Sequence, residues 1–429
     1  MNLPTLEADS AGIGRRRWLI CALLFFAATV NYVDRQVIGL LKPILQRDLG
    51  WTEIGYSNIV IAFQAAYAIG LLLVGRLIDW LGTRKGFSLA VLLWSVAAMA
   101  HAAARSVVEF SVVRFVLGLG ESGNFPASIK AVAEWFPKRE RALATGIFNC
   151  GANIGAILTP LLVPWLTYRY GWRVCFIATG SLGLLWLVPW LTWYRAPEGD
   201  IRLASVESYI RGNREAQERP LPLARIVHYR QAWAIAIGRL LTDPVWYVYL
   251  FWVPDFLHRN LGLGLRATAL PLFFIYTGAT LGSVLGGAMS SYLLGKDLTL
   301  NASRKAALLA CALGAVPVVF APQTRHVWAV VAVVALAAGA HQGWSANMYT
   351  LASDMFPRSA VGSVVGFASM VGSVGAMFAA KAVGYTLEWT QSYTPVFLIA
   401  GVVYLLALAI VQFLAPAIRP VALDPGVEG

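Results

Sequence analysis

The chain has 429 residues, of which 58% are hydrophobic and only 13% charged. Soluble domains are about 45–50% apolar and about 25% charged, so this composition excludes an ordinary soluble enzyme or binding domain. The formal net charge of +12 would suit nucleic acid if the cations formed a surface, but they sit mainly in loops between apolar stretches.

Taken along the chain, those stretches read as spanning helices, each of which needs about 20 mainly apolar residues. They fall at 18–40, 55–78, 86–104, 107–131, 143–167, 173–194, 233–257, 268–294, 304–321, 327–352, 361–387 and 393–416. The expected fold is therefore all-α, with twelve transmembrane helices. With Arg15-Arg16-Arg17 held in the cytoplasm, alternating the spans puts most of the 34 Lys and Arg on that side, so both termini are expected there. The first run is too long for a signal-peptide core, and no small-residue cleavage pattern follows it. Cys21, Cys150, Cys175 and Cys311 lie in spans without metal-ligand spacing and read as small apolar packing residues.

Span one contains Asn31-Tyr32-Val33-Asp34-Arg35. A charge at mid-bilayer costs roughly 2.5–3.5 kcal/mol on insertion scales, so these residues need a reason to be there. Neighbours on a helix project about 100° apart, so Asp34 and Arg35 can address different partners. An arginine fork holds a carboxylate through two parallel hydrogen bonds, which makes Arg35 the candidate anion grip and Asp34 the candidate proton carrier. After span two comes Gly75-Arg76-Leu77-Ile78-Asp79-Trp80-Leu81-Gly82-Thr83-Arg84-Lys85, where Gly82 permits a tight turn and Asp79 can engage helix ends and arginines. On span four, Arg114 and Glu121 lie about two turns apart on one face, and Ser122-Gly123-Asn124 with Pro126 breaks the apolar character. A structural ion pair between helices remains the alternative for both acid–arginine sets. Lys130, Arg239 and Lys381 read as cations that snorkel toward an interface.

The one long polar interruption, about 195–230, divides the spans six and six. This gives an N-terminal half (1–195), a cytoplasmic linker (196–230, with 203–210 as a candidate short surface helix) and a C-terminal half (231–429). The halves repeat: Glu134-Trp135-Phe136-Pro137 follows span four and Asp354-Met355-Phe356-Pro357 follows span ten, and the same shift superposes Gly146 on Gly366 and Gly155 on Gly375. Duplicated six-helix halves place a solute site near the membrane midplane. In the second half, the loop from Gly286 to Lys305 has Ser290 and Ser291 near where an acid would stand, so a weaker latch is expected there.

The glycine–aspartate–glycine–basic pattern of the loop after span two resembles the signature loop of the major facilitator superfamily, in which Gly75, Asp79, Gly82 and Arg84 would form a conformational latch. Residues 19–417 resemble its anion:cation symporter branch, and most closely bacterial hexuronate transporters. The segments that carry this, besides the two acid–arginine sets, are Gly118-Leu119-Gly120-Glu121-Ser122 through Glu134-Trp135-Phe136-Pro137, Asp243-Pro244-Val245-Trp246, and Ala340-His341-Gln342. The resemblance implies proton coupling through Asp34 and Glu121 with Arg114, and a substrate carboxylate on Arg35 bordered by Tyr32 and Tyr67. Sugar hydroxyls would then be read from Trp246, Tyr247, His341, Gln342 and Asn347, whose amides and aromatic faces suit hydroxyls and C–H surfaces. Asp243 departs from relatives that carry glutamate, and with Pro244 it could equally open the helix.

The expected function is import of a sugar-acid anion, a hexuronate such as glucuronate or galacturonate, coupled to protons and needing no other cofactor. The expected setting is the cell membrane (the inner membrane of a Gram-negative cell), as a multi-pass monomer whose partners are a small organic anion and the bilayer. Other sugar acids such as galactonate or glucarate, or exchange or uniport without protons, remain open. With no nucleophile–base pair or metal-ligand cluster in the spans, an enzyme is not expected.

Overall fold

A computed structural model describes residues 4–136, 138–195, 223–296 and 298–421, and these contain helices and no strand. Most of the linker, including 203–210, lies outside the described residues. The chain divides into two compact units.

The first unit comprises 1–50 and 62–216. Its helices are α1 (Pro4–Leu49), most of α2 (Glu53–Leu81), α3 (Thr83–Ala100), α4 (Val107–Glu121), α5 (Asn124–Trp135), α6 (Lys138–Tyr170) and α7 (Trp172–Trp193). Helix α1 packs along α6, and α3 along α4 and α7. Span four is realised as two helices, because the run Ser122-Gly123 interrupts it where the sequence turns polar.

The second unit comprises 51–61 and 217–429. It contains α8 (Arg230–Phe251), α9 (Val253–Leu261), α10 (Ala269–Leu294), α11 (Leu300–Ala315) continued by a 3-10 segment (Val316–Gln323), α12 (Val327–Met355), α13 (Arg358–Thr390) and α14 (Thr394–Leu414). The opening turns of α2 belong here because they are bonded into it: Tyr56 donates to the Phe251 carbonyl at 3.0 Å, and the Glu53 N–H to Glu388 at 2.9 Å. Span seven is also divided, at Trp252, with Pro254 beginning α9, where its missing N–H costs nothing.

Nine helical stretches among the described residues are long and apolar enough to cross a membrane. The remaining three predicted spans are α3, the α4–α5 pair and the α8–α9 pair, which are shorter or more polar. With them the count is the twelve expected from the sequence.

Small residues set the closest approaches, as van der Waals packing in lipid demands. Gly155 on α6 lies against Thr29 of α1, and Gly375 on α13 lies against Leu240 of α8. A Cβ on either glycine would come within 2.5 Å and 2.3 Å of the respective carbonyl oxygens. Gly146 and Gly366 share the same sequence spacing but face open space, so only the second pair of the repeat owes its glycine to packing. Helices α10 and α12 meet along Gly282, Gly286, Gly339 and Gly343, where an added Cβ on Gly282 would reach the Gly339 Cα at 2.2 Å. The four cysteines are free; Cys150 is exposed, whereas the other three are buried as expected of packing residues.

Candidate functional site

In the first unit, α1 and α4 bring Arg35 and Glu121 together. The Arg35 Nε donates to Glu121 Oε2 at 2.8 Å and its Nη2 to Asn31 at 3.3 Å. Both side chains are buried. The guanidinium is also boxed by rings: its carbon lies 4.9 Å from the Tyr32 centroid, 4.8 Å from Tyr67 and 5.2 Å from Phe63. Phe63 and Tyr67 stack on each other one helical turn apart on α2. Cation–π contacts of this kind contribute about 0.5–2 kcal/mol each, more where water is excluded.

Arg114 donates to the main-chain oxygens of Asp34 and Arg35. Its side chain therefore holds the backbone of α1 at the acid–arginine pair, a role that spacing on α4 alone did not suggest. Asp34 lies within electrostatic reach of Glu121 and Arg114, but its carboxylate makes no hydrogen bond to them. Neither of its carboxylate oxygens has a hydrogen-bond partner among the described residues, nor has the Thr179 hydroxyl beside it on α7. Glu121 Oε1 is likewise unpartnered.

In the second unit, Arg239 stands mid-helix on α8 instead of near an interface, which corrects the snorkelling expected from its sequence position. It is mostly buried and forks onto Asp243 through Nε at 2.9 Å and Nη2 at 2.8 Å. Tyr349 lies under the guanidinium at 4.6 Å, and Gly372 leaves room for the Asp243 carboxylate. Trp246, one turn on, stacks flat on His341 with centroids 5.5 Å apart, and His341 Nδ1 is 2.7 Å from the Tyr404 hydroxyl. Tyr247 stacks on Phe251, and Gln342 is half-buried. Asn347 is buried, with both amide hydrogens given to the carbonyls of Gly286 and Gly343, so it holds α10 against α12. Lys381 donates to Asn58 at 2.8 Å.

The twelve spans, the helix packing repeated within each unit and the buried arginines converge with the comparisons. A model of the Major Facilitator Superfamily matches residues 24–380. The chain belongs to that superfamily. As a member of the major facilitator superfamily it is a transporter and not an enzyme. It is 32% identical to the hexuronate transporter of Escherichia coli strain K12 over 92% of this chain and 93% of that one. It is 34% identical to the galacturonate transporter of Dickeya chrysanthemi over 64% of this chain and 81% of that one. Among solved structures, the fold is similar to a D-xylose-proton symporter (TM-score 0.73, 16% identity, 93% and 98% covered). It is also similar to a bacterial homologue of the human lysosomal transporter Spinster (TM-score 0.70, 19% identity, 94% and 99% covered).

Around the superfamily's signature loop, Gly82 has φ of 78° and so makes the turn between α2 and α3 that a side chain would strain. Gly75 lies within α2, and the side chain of Asp79 lies outside the described residues. Arg84 donates to the Leu191 carbonyl at the end of α7, while Thr83 and Tyr194 both donate to Glu134. In the second half, Arg304 forks onto Asp354 at 2.7 Å and 3.3 Å and donates to Ser290 at 2.6 Å. The segment expected to latch weakly thus holds a direct ion pair, because the acid comes from the last turn of α12, where Asp354 repeats Glu134.

Proposed function

We propose that the chain is a proton-coupled symporter that imports a sugar-acid anion, a hexuronate such as glucuronate or galacturonate. The observation that carries this reading is the boxed Arg35, a buried guanidinium paired with a carboxylate, Glu121, that can take a proton. Charge-assisted hydrogen bonds contribute about 1.5–3 kcal/mol, so Glu121 and a solute carboxylate compete for Arg35 on similar terms. A proton on Glu121 removes its charge from the fork, and the solute anion replaces it with no net change of buried charge.

Asp34 completes the coupling. An ionised carboxylate without donors in a dry interior carries a desolvation cost of several kcal/mol, and a proton removes that cost. Protons bind where they are plentiful, the anion follows, and both leave where protons are scarce. This requires only that protonation and solute discriminate between two states of the carrier. Tyr32 and Tyr67 would border the carboxylate, while Trp246, Tyr247, His341 and Gln342 would read the hydroxyl-bearing remainder. Asn347 would act indirectly, by fixing α12. The signature loop would latch one state, with both termini cytoplasmic and the chain acting as a monomer in the cell membrane (the inner membrane of a Gram-negative cell). The relatives named for hexuronate and galacturonate support the substrate class.

The test is uptake of radiolabelled glucuronate into proteoliposomes with and without an inward proton gradient. The gradient should drive accumulation, and Asp34→Asn should abolish it while counterflow at equal pH persists. Uphill uptake by Asp34→Asn would remove the proton role. Equal wild-type uptake with and without the gradient would favour an exchanger or uniporter, and uptake confined to galactonate or an aldarate would move the substrate.

A further inference from the structure

The Arg239–Asp243 pair has no part in gripping a carboxylate or carrying a proton as set out above, yet it is built with care. Two charged side chains on a spanning helix are costly unless they serve a purpose. Arg239, Asp243 and Trp246 follow one another at one-turn spacing, so they share a face of α8. The stack of Trp246 on His341 and the His341–Tyr404 contact hold the aromatic plane in place. A side chain at Gly372 would collide with Asp243 Oδ2 at 2.4 Å, so a glycine is needed to keep the carboxylate where it is. Unlike Glu121, whose side chain is 0% exposed, Asp243 retains 15% exposure and Arg239 11%, so both can still be approached.

This face offers three elements side by side: a cation that only donates, a carboxylate that only accepts, and flat apolar surface beside them. Its net charge is zero. A polyhydroxylated neutral group satisfies it fully, with hydroxyls donating to Asp243 and accepting from Arg239 and with ring C–H surface on Trp246. A carboxylate does not, because it must compete with Asp243 for the same fork while lying beside a like charge. We propose that Arg239 and Asp243 form a specificity filter that accepts the hydroxyl-bearing end of a sugar acid and rejects a second carboxylate there. The filter rests on the sugar-acid reading above and narrows it to acids with one carboxylate, against aldarates with one at each end.

The experiment is competition for labelled glucuronate uptake in proteoliposomes by unlabelled glucuronate and by unlabelled galactarate or glucarate. Wild type should need at least about tenfold more aldarate than uronate for half-inhibition. Asp243→Asn removes the repelling charge and frees the fork, so that gap should close by about tenfold, with aldarate inhibition improving in absolute terms. The double substitution R239Q/D243N, neutral and close to native volume, should also lose the discrimination and serves where the single variant fails to reach the membrane. A gap unchanged in the variants, or wild type inhibited equally by both acids, would overturn the filter. Absence of any glucuronate uptake or competition by wild type would instead overturn the function on which the filter rests.

Discussion

Arg35 reaches its acid across 86 residues of chain, from α1 to α4, whereas Arg239 reaches its acid four residues along α8. The first pairing exists only while two helices keep their spacing, so any shift of one against the other is felt directly as a change in electrostatics. The second is carried by a single rigid helix and survives such a shift unchanged. A pair of the first kind suits coupling, in which partners must be exchanged during a cycle. A pair of the second kind suits recognition, in which a pattern of donors and acceptors must stay fixed. The surroundings follow suit: rings on three sides and a main-chain anchor from Arg114 hold Arg35, while an aromatic stack and a glycine vacancy hold the Arg239–Asp243 face.

The strongest way to break this contrast is Arg35→Lys. The variant keeps the charge but loses the fork and much of the ring stacking, together worth about 3 kcal/mol, so initial uptake should fall by about a hundredfold. Near-native apparent affinity would place the carboxylate elsewhere. Glu121→Gln comes next. It removes the Glu121 charge from the Arg35 guanidinium at any pH, so anion binding should tighten or hold within about tenfold while its dependence on pH flattens; isothermal titration at several pH values reads both. An undiminished pH dependence would clear Glu121 of the competing role.

Gly375→Ala tests the packing beneath the second pair. Its Cβ would meet a main-chain carbonyl that cannot turn aside, and overpacking of this kind costs about 1–3 kcal/mol, seen as a lower unfolding temperature in detergent. Gly366→Ala, in open space on the same helix, should change that temperature little. The smallest effect is expected from Tyr404→Phe, which removes one hydrogen bond to His341 worth about 1 kcal/mol and should weaken solute affinity a few-fold without touching proton coupling. Loss of gradient-driven uptake in that variant would erase the division of labour between the two units.

The fold was legible because apolar runs of spanning length are a local property of the chain. Ser122-Gly123 announced the break in span four, but the break in span seven falls at Trp252, and α8 runs unbroken through Pro244, where the sequence had allowed an opening. Charge partners were less legible, because they depend on which helices meet. Nothing in the order of residues says that Arg35 takes Glu121, that Arg114 spends its donors on the main chain of α1, or that Phe63 joins Tyr67 beside the guanidinium. Arg239 was misjudged for a different reason. Its distance from a helix end was taken as decisive, when the four-residue step to Asp243 and the further turn to Trp246 were the better signal. Asn347 shows the limit of reading by side-chain type: two nearby glycine carbonyls take its amide hydrogens, and its Oδ1 alone is without a partner among the described residues. Asp354 was missed in a similar way: the repeat set it beside Glu134, but an acid was sought near Ser290 and Ser291, and the partner of Arg304 came from another helix.

The glycine seam between α10 and α12 offers a yardstick. Where two backbones touch and an amide ties them, neither helix can slide or swing against its neighbour without a steric collision. Val284 and Leu336, exposed on those two helices, could each bear a spin label. Their separation should stay constant through every stage of turnover, which would give spectroscopists an internal reference against which all other distances in the working carrier can be judged.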